Sequence, residues 1–148
     1  DVVNWYARIP HDDVVFESGQ STISAAERTK LTAVVAKIKR EQKAFSEAVG
    51  RPGATLDLKL YIAGMTDTVG RAADNLKLSE ARARAIADAF RAEGLRCPIF
   101  SAGFGESRLK VVTADGVDEA RNRRAVYLLT NYPPRDLVPP SNRWILSP

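Results

Sequence analysis

The chain has 148 residues, enough for one domain with a sizeable core, and its 45% apolar and 27% charged residues place it among globular rather than disordered sequences. Its 22 Lys and Arg against 18 Asp and Glu leave a net charge of +4, a mild excess that leans towards acidic or mixed-charge partners but falls short of the basic stripe of a dedicated nucleic-acid binder. With Cys97 and His11 the only residues of their kinds, an internal disulfide and a thiolate metal cluster are excluded, and a histidine-rich metal site is disfavoured. No apolar run approaches the roughly 20 residues that cross a bilayer, and no basic-then-apolar signal segment opens the chain. Beginning at Asp1, it reads as a mature or trimmed chain from which an export signal could have been removed.

Residues 1–13, with Trp5 and Tyr6, show no period and read as a lead-in. Val14, Val15 and Phe16 predict a short strand, ended by Glu17-Ser18-Gly19-Gln20. Ser24 followed by Glu27 is a capping box, and Leu31, Val34, Val35, Ile38, Phe45 and Val49 then recur at helical spacing until Gly50 and Pro52. Leu56, Leu58, Leu60 and Ile62 alternate with Asp57, Lys59 and Tyr61, the period of a strand with one buried face. A loop follows Gly64, and a second helix is predicted from Asp74 or Asn75, as cap, to about Glu93, with Gly94 beyond it. Pro98 to Ala102 reads as a strand, Gly103-Phe104-Gly105 as a turn, and Arg124 to Thr130 as another strand, with Ala125, Tyr127 and Leu129 opposed to Val126 and Leu128. The tail 131–148, with five prolines and no period, reads as extended or partly ordered. Strands alternating with helices in this order predict an α/β two-layer sandwich, both helices on one face of the sheet.

The second helix carries an anomaly. Arg82 lies on the stripe formed by Leu78, Ala85, Ile86, Ala89 and Phe90, so it faces inward. A buried charge must be paired, because arginine does not shed its proton. Asp67, at the end of the preceding strand, is the expected partner. One reading is a structural ion pair, and alanine at position 82 would then cost little stability. The other is a pocket for a zwitterion, with a carboxylate for an ammonium and a guanidinium fork for a carboxylate.

Gly64-Met65-Thr66-Asp67-Thr68-Val69-Gly70 and Asn75-Leu76-Lys77-Leu78-Ser79-Glu80-Ala81-Arg82-Ala83 resemble the G-H-T-D-x-x-G and N-x-x-L-S-x-x-R-A motifs of the OmpA-like family. Gly103-Phe104-Gly105-Glu106 resembles its G-x-G-E turn, and Asn122-Arg123-Arg124-Ala125-Val126 its N-R-R-x-V strand start, in the form found in peptidoglycan-associated lipoproteins. The resemblance runs from about Val14 to Leu129. It implies a βαβαββ fold with the helices on one face of a mixed sheet, domain limits of 14–130, and non-catalytic binding of peptidoglycan that anchors the envelope, or an envelope complex, to the cell wall. It further implies that Asp67 takes the ammonium of stem-peptide diaminopimelate and Arg82 its carboxylate, with Thr66, Asn75 and Arg124 lining or bracing the pocket. It points to the periplasm, with attachment to the outer membrane through parts absent from this chain, and to possible envelope protein partners. No cofactor or metal is implied. The chain departs from the family at Met65, where a histidine is usual, at Arg108, near the position of a common proline, and in a longer stretch from Arg40 to Ala54.

Other classes fit less well. Gly103-Phe104-Gly105 lacks the third glycine and acidic partner of a dinucleotide fingerprint, and Cys97 has no histidine nearby in sequence to activate it. Arg121, Arg123 and Arg124 form a basic knot, but no aromatic residues interleave with them for stacking on bases. The remaining alternative is a protein-interaction module of an envelope or secretion complex that has lost glycan binding, which would call for a damaged Asp67–Arg82 pair.

Overall fold

The computed structural model describes residues 13–48, 50, 58–130 and 133–148. The readings made on Trp5, Tyr6, His11, Val49, Pro52, Leu56 and Asp57 lie outside the described residues. In chain order the elements are β1 (Val14–Val15), α1 (Ala25–Ala48), β2 (Lys59–Gly64), α2 (Ala72–Ala92), β3 (Ile99–Gly103), a 3-10 turn (Ala120–Asn122), β4 (Arg124–Thr130) and β5 (Ile145–Leu146). The βαβαββ order is as expected, with β5 added from the tail.

The sheet order is β1-β4-β2-β3-β5. β2 and β3 run parallel, joined through α2, while β4 pairs antiparallel to both β1 and β2. Both helices cover one face. Leu31, Val34, Val35 and Ile38 of α1 and Ala83, Ile86, Ala87 and Phe90 of α2 share a core with Leu60, Ile62, Ile99, Ala125, Tyr127 and Leu129. Burying such apolar side chains contributes about 1.5–3 kcal/mol for each of the larger ones. α1 begins where its capping residue predicts: the N–H of Glu27 donates to Ser24 Oγ at 3.2 Å. The Glu27 carboxylate turns to Lys30 at 3.2 Å rather than completing the box.

Two expectations need correction. α2 starts earlier than predicted, with Arg71 in the cap position and no side-chain cap bond. Asn75 lies inside the first turn, its N–H donating to the Arg71 carbonyl at 3.0 Å, because its side chain is used elsewhere. β2, for its part, does not have a single buried face. Tyr61 is as buried as its neighbours, because the tail folds back over the second face of the sheet. β5 pairs antiparallel to β3, and Trp144 meets Tyr61 edge-on at 5.2 Å and Phe104 at 6.0 Å. Ala63, Met65, Ala102 and Phe104, with Leu137 and Trp144 against them, form this second apolar cluster.

α2 also sits unusually close to the sheet. A Cβ on Gly64 would lie 2.0 Å from the carbonyl oxygen of Ser79, and one on Gly103 would lie 2.5 Å from Ser79 Oγ and Glu80 Cγ. Glycine at the ends of β2 and β3 is what lets the helix lie directly on the strands.

Candidate functional site

The C-terminal ends of the parallel strands β2 and β3 open into the loops 65–71 and 104–119, and the start of α2 lies between them. Polar side chains hold these loops. Thr66 donates its N–H to the Gly105 carbonyl at 2.9 Å, and its hydroxyl to the carbonyl of Asp67 at 2.8 Å. Asn75 gathers three acceptors with one amide group: the carbonyls of Val69 (2.9 Å) and Asp67 (3.4 Å) and the Glu106 carboxylate (2.9 Å). The Ser79 hydroxyl accepts from Gly105 N–H at 2.8 Å and donates to the Leu76 carbonyl at 2.7 Å. Thr68 anchors the far loop. Its hydroxyl donates to Ala114 and accepts from Val117 N–H, at 2.8 and 2.9 Å, while Gly116 N–H donates to its carbonyl. Asn122, fully buried, clamps both backbone groups of Val111 at 2.9 Å.

Arg82 is wholly buried, and it does not pair with Asp67 as the sequence suggests. Its Nε donates to the Gln20 carbonyl (2.8 Å), one terminal nitrogen to Met65 (2.9 Å) and the other to Glu17 (3.1 Å). The guanidinium carbon lies 5.1 Å from the centre of the Phe16 ring, a cation–π contact. Backbone carbonyls therefore supply the compensation that a carboxylate was expected to give. Burial lowers Arg82 to about 10, with Asp67 pulling it up and Arg123 pushing it down, so it stays charged at neutral pH and feels both neighbours.

The partner of Asp67 is Arg123. Its guanidinium donates to Asp67 Oδ2 at 3.1 Å, to the Phe16 carbonyl at 3.1 Å and to the Asp118 carboxylate. Asp67 Oδ1 accepts from Val69 N–H at 3.3 Å. Desolvation works against the Arg123 charge, but Asp67 and Asp118 outweigh it and hold the group above its ordinary value. Arg124 points elsewhere: it contacts Asp13 Oδ2 and the Arg108 carbonyl, both at 3.4 Å, beside a Lys110–Asp13 pair at 3.1 Å. The structure thus brings together Asp67, Thr66 and Asn75 and sets Arg82 beneath the carbonyl of Met65; the Arg124 carbonyl accepts from Met65 N–H at 2.8 Å, but its side chain turns to Asp13 and Arg108.

Arg123 was legible in principle. Ala125, Tyr127 and Leu129 face the helices, and Arg123 shares their parity at the entrance to β4, whereas Arg124 has the opposite parity. Met65, in place of the usual histidine, is buried against Ala102 and Phe104 in the second apolar cluster.

The family model of the OmpA family matches residues 15–124. The chain belongs to the OmpA family. Outer membrane protein P5 of Haemophilus influenzae is 27% identical over 117 residues, which span 78% of this chain and 29% of that protein, and another form of P5 is 30% identical over 28% of its length. The chain thus spans less than a third of the relatives it matches. Among solved structures, the peptidoglycan-associated lipoprotein of Burkholderia pseudomallei superposes with a TM-score of 0.63 at 20% identity, covering 80% of this chain and 89% of the other. The OmpA-like domain of FopA1 from Francisella tularensis gives 0.55 at 24% identity, covering 80% and 69%. The C-terminal domain of Helicobacter pylori MotB gives 0.59 at 16%, covering 82% and 85%. These likenesses establish the OmpA-like fold. Among the described residues no helix is long and apolar enough to cross a membrane.

Proposed function

We propose that this OmpA-family domain binds peptidoglycan without catalysis, through the diaminopimelate of the stem peptide, and thereby ties the envelope or an envelope complex to the wall from the periplasmic side. The observation that carries the reading is the pairing of opposite charges at the loop after β2: the Asp67 carboxylate with Arg123 at 3.1 Å, and Arg82 beneath the same loop. Membership of the OmpA family and a fold shared with a peptidoglycan-associated lipoprotein support it.

In this reading the ligand ammonium takes the place of Arg123 on Asp67, and Arg123 passes wholly to Asp118, which it already touches. The distal carboxylate is taken by cationic N–H groups. Arg82 has three of its five donors on carbonyls, and a ligand reaches the other two only once the loop over this fully buried side chain moves aside. Thr66 and Asn75 hold the loop in shape, and Arg124 braces the segment around Arg108. Co-sedimentation with purified insoluble diaminopimelate-type peptidoglycan tests the proposal. The wild-type domain pellets and Asp67→Ala stays in solution; a folded Asp67→Ala protein that pellets normally removes Asp67 from the site.

Two observations favour a second reading, a protein-interaction module that no longer binds the wall: Asp67 is already paired with Arg123, and Arg82 is fully enclosed. A wild-type domain that remains wholly in the supernatant, while another family member pellets, selects that reading.

A further inference from the structure

A second cleft, of about 470 Å³, lies away from the loops of the candidate site, between α2, β3 and the folded-back tail. Lys77, Glu80, Ala81 and Arg84, at spacings of three, four and seven along α2, form one wall. Arg143 and Ser141 of the tail form the other, and Ser101 of β3 lines it as well. Three cations face one carboxylate, a local excess of two positive charges. Among the described residues none of Lys77, Arg84 and Arg143 has an ion-pair or hydrogen-bond partner for its side chain. Ser101 is 8% exposed overall, and its hydroxyl, without a protein partner among the described residues, is left to donate into the cleft that it lines. β5 pairs with β3 only at Phe100 and Ser101, so on the side away from β2 no strand among the described residues lies beside Ala102 and Gly103.

We propose that this cleft is a binding site for a compact polyanion carrying phosphate or carboxylate groups. Two guanidinium forks present paired donors that match either oxyanion, the Lys77 ammonium adds a third charge, and the Ser101 hydroxyl supplies a neutral donor. The cavity falls within the size range of small-molecule sites. The tail completes the site, which gives its return over the sheet a role beyond covering apolar surface. The proposal does not depend on wall binding, since it shares no residue with the Asp67 cluster.

The test is an NMR titration of the full chain, at physiological ionic strength, with inorganic pyrophosphate in one arm and tricarballylate in the other. Saturable shifts centred on the amides of Ala81, Ser101 and Gly103 are expected, with affinity at least about tenfold weaker in an R84A/R143A double variant. Saturation by pyrophosphate alone assigns a phosphate ligand, and by tricarballylate alone a carboxylate ligand. Glu80→Gln, which removes the opposing charge, should tighten binding, and it decides the matter if the double variant does not fold. No saturation by either anion at millimolar concentration, or affinity unchanged by R84A/R143A in a folded protein, overturns the proposal.

Discussion

The Asp67 carboxylate is held at 3.1 Å by Arg123, 56 residues along the chain, and the same guanidinium reaches the Asp118 carboxylate. The Asp67 side chain is 7% exposed and that of Asp118 is 71% exposed, so one cation joins an inner and an outer carboxylate. If a ligand ammonium displaces Arg123 from Asp67, Asp118 is the group that receives it.

Asp118→Asn should therefore weaken peptidoglycan pelleting severalfold while leaving stability nearly untouched, since an ion pair with an exposed partner contributes about 0–1 kcal/mol. Binding isotherms and melting curves on the same preparation check both halves. Unchanged binding would show that Arg123 does not need Asp118 in order to leave Asp67.

Arg82→Ala should lower stability by about 3–5 kcal/mol, because it strands the carbonyls of Glu17, Gln20 and Met65 in a buried space and removes the packing on Phe16. A simple Asp67–Arg82 ion pair would instead predict little change. A urea melt that moves by less than about 1 kcal/mol would mean that the three carbonyls find water.

Why some of this was legible and some not has a physical reason. Period-two and helical spacing located β2, β4 and the two helices, because burial on one helix-covered face leaves a strong pattern. Tyr61 broke the pattern because its cover comes from the tail, and Trp144 sits in a segment with no period of its own. The motif around Asp67 and Arg82 marked the right loops. Which cation would meet Asp67 depended on strand parity at residue 123 and on carbonyls supplied by Glu17 and Gln20, neither of which sequence spacing between Asp67 and Arg82 reveals. Asn75 looked like a cap because it is a capping residue type near a helix start, yet its amide group bridges two loops from inside the first turn.

Gly64→Ala and Gly103→Ala should each destabilise the fold, the first more severely. At Gly64 the new methyl meets backbone, the Ser79 carbonyl at 2.0 Å, which cannot swing aside, whereas at Gly103 two of the nearest atoms belong to the side chains of Ser79 and Glu80. Overpacking of this kind typically costs about 1–3 kcal/mol and occasionally more. Thermal denaturation ranks the two, and equal stability of Gly64→Ala and wild type would contradict the close approach of α2.

Burial pushes the Cys97 thiol above its ordinary value, with Arg91 pulling it partly back. The folded chain therefore keeps the proton where the unfolded chain has begun to lose it. The stability linked to this group is complete below the unfolded value and is lost as the pH rises through the higher folded value. At mildly alkaline pH a disulfide reagent should label native Cys97 about tenfold or more slowly than urea-unfolded protein, since only the thiolate reacts. Equal rates would place the thiol in open solvent.

Diaminopimelate differs from lysine by one carboxylate on the distal carbon, so its side chain ends in an ammonium and a carboxylate together. Asp67 can take the ammonium of either residue. The second group has a partner only where cations stand beside that carboxylate, and here Arg123 touches Asp67 while Arg82 lies beneath the same loop. A lysine stem that drew Arg123 away from Asp67 would bring no carboxylate in exchange for the lost pair. A charged hydrogen bond is worth roughly 1.5–3 kcal/mol, so a ten- to a hundredfold preference for diaminopimelate stems over lysine stems is expected on the order of that energy. Calorimetry with the two soluble stem peptides measures it, and amidation of the distal carboxylate should abolish most of the difference. Equal affinities would mean that the cations grip a group common to both stems, and the roles assigned to Arg82 and Arg123 would have to be exchanged for recognition elsewhere on the peptide.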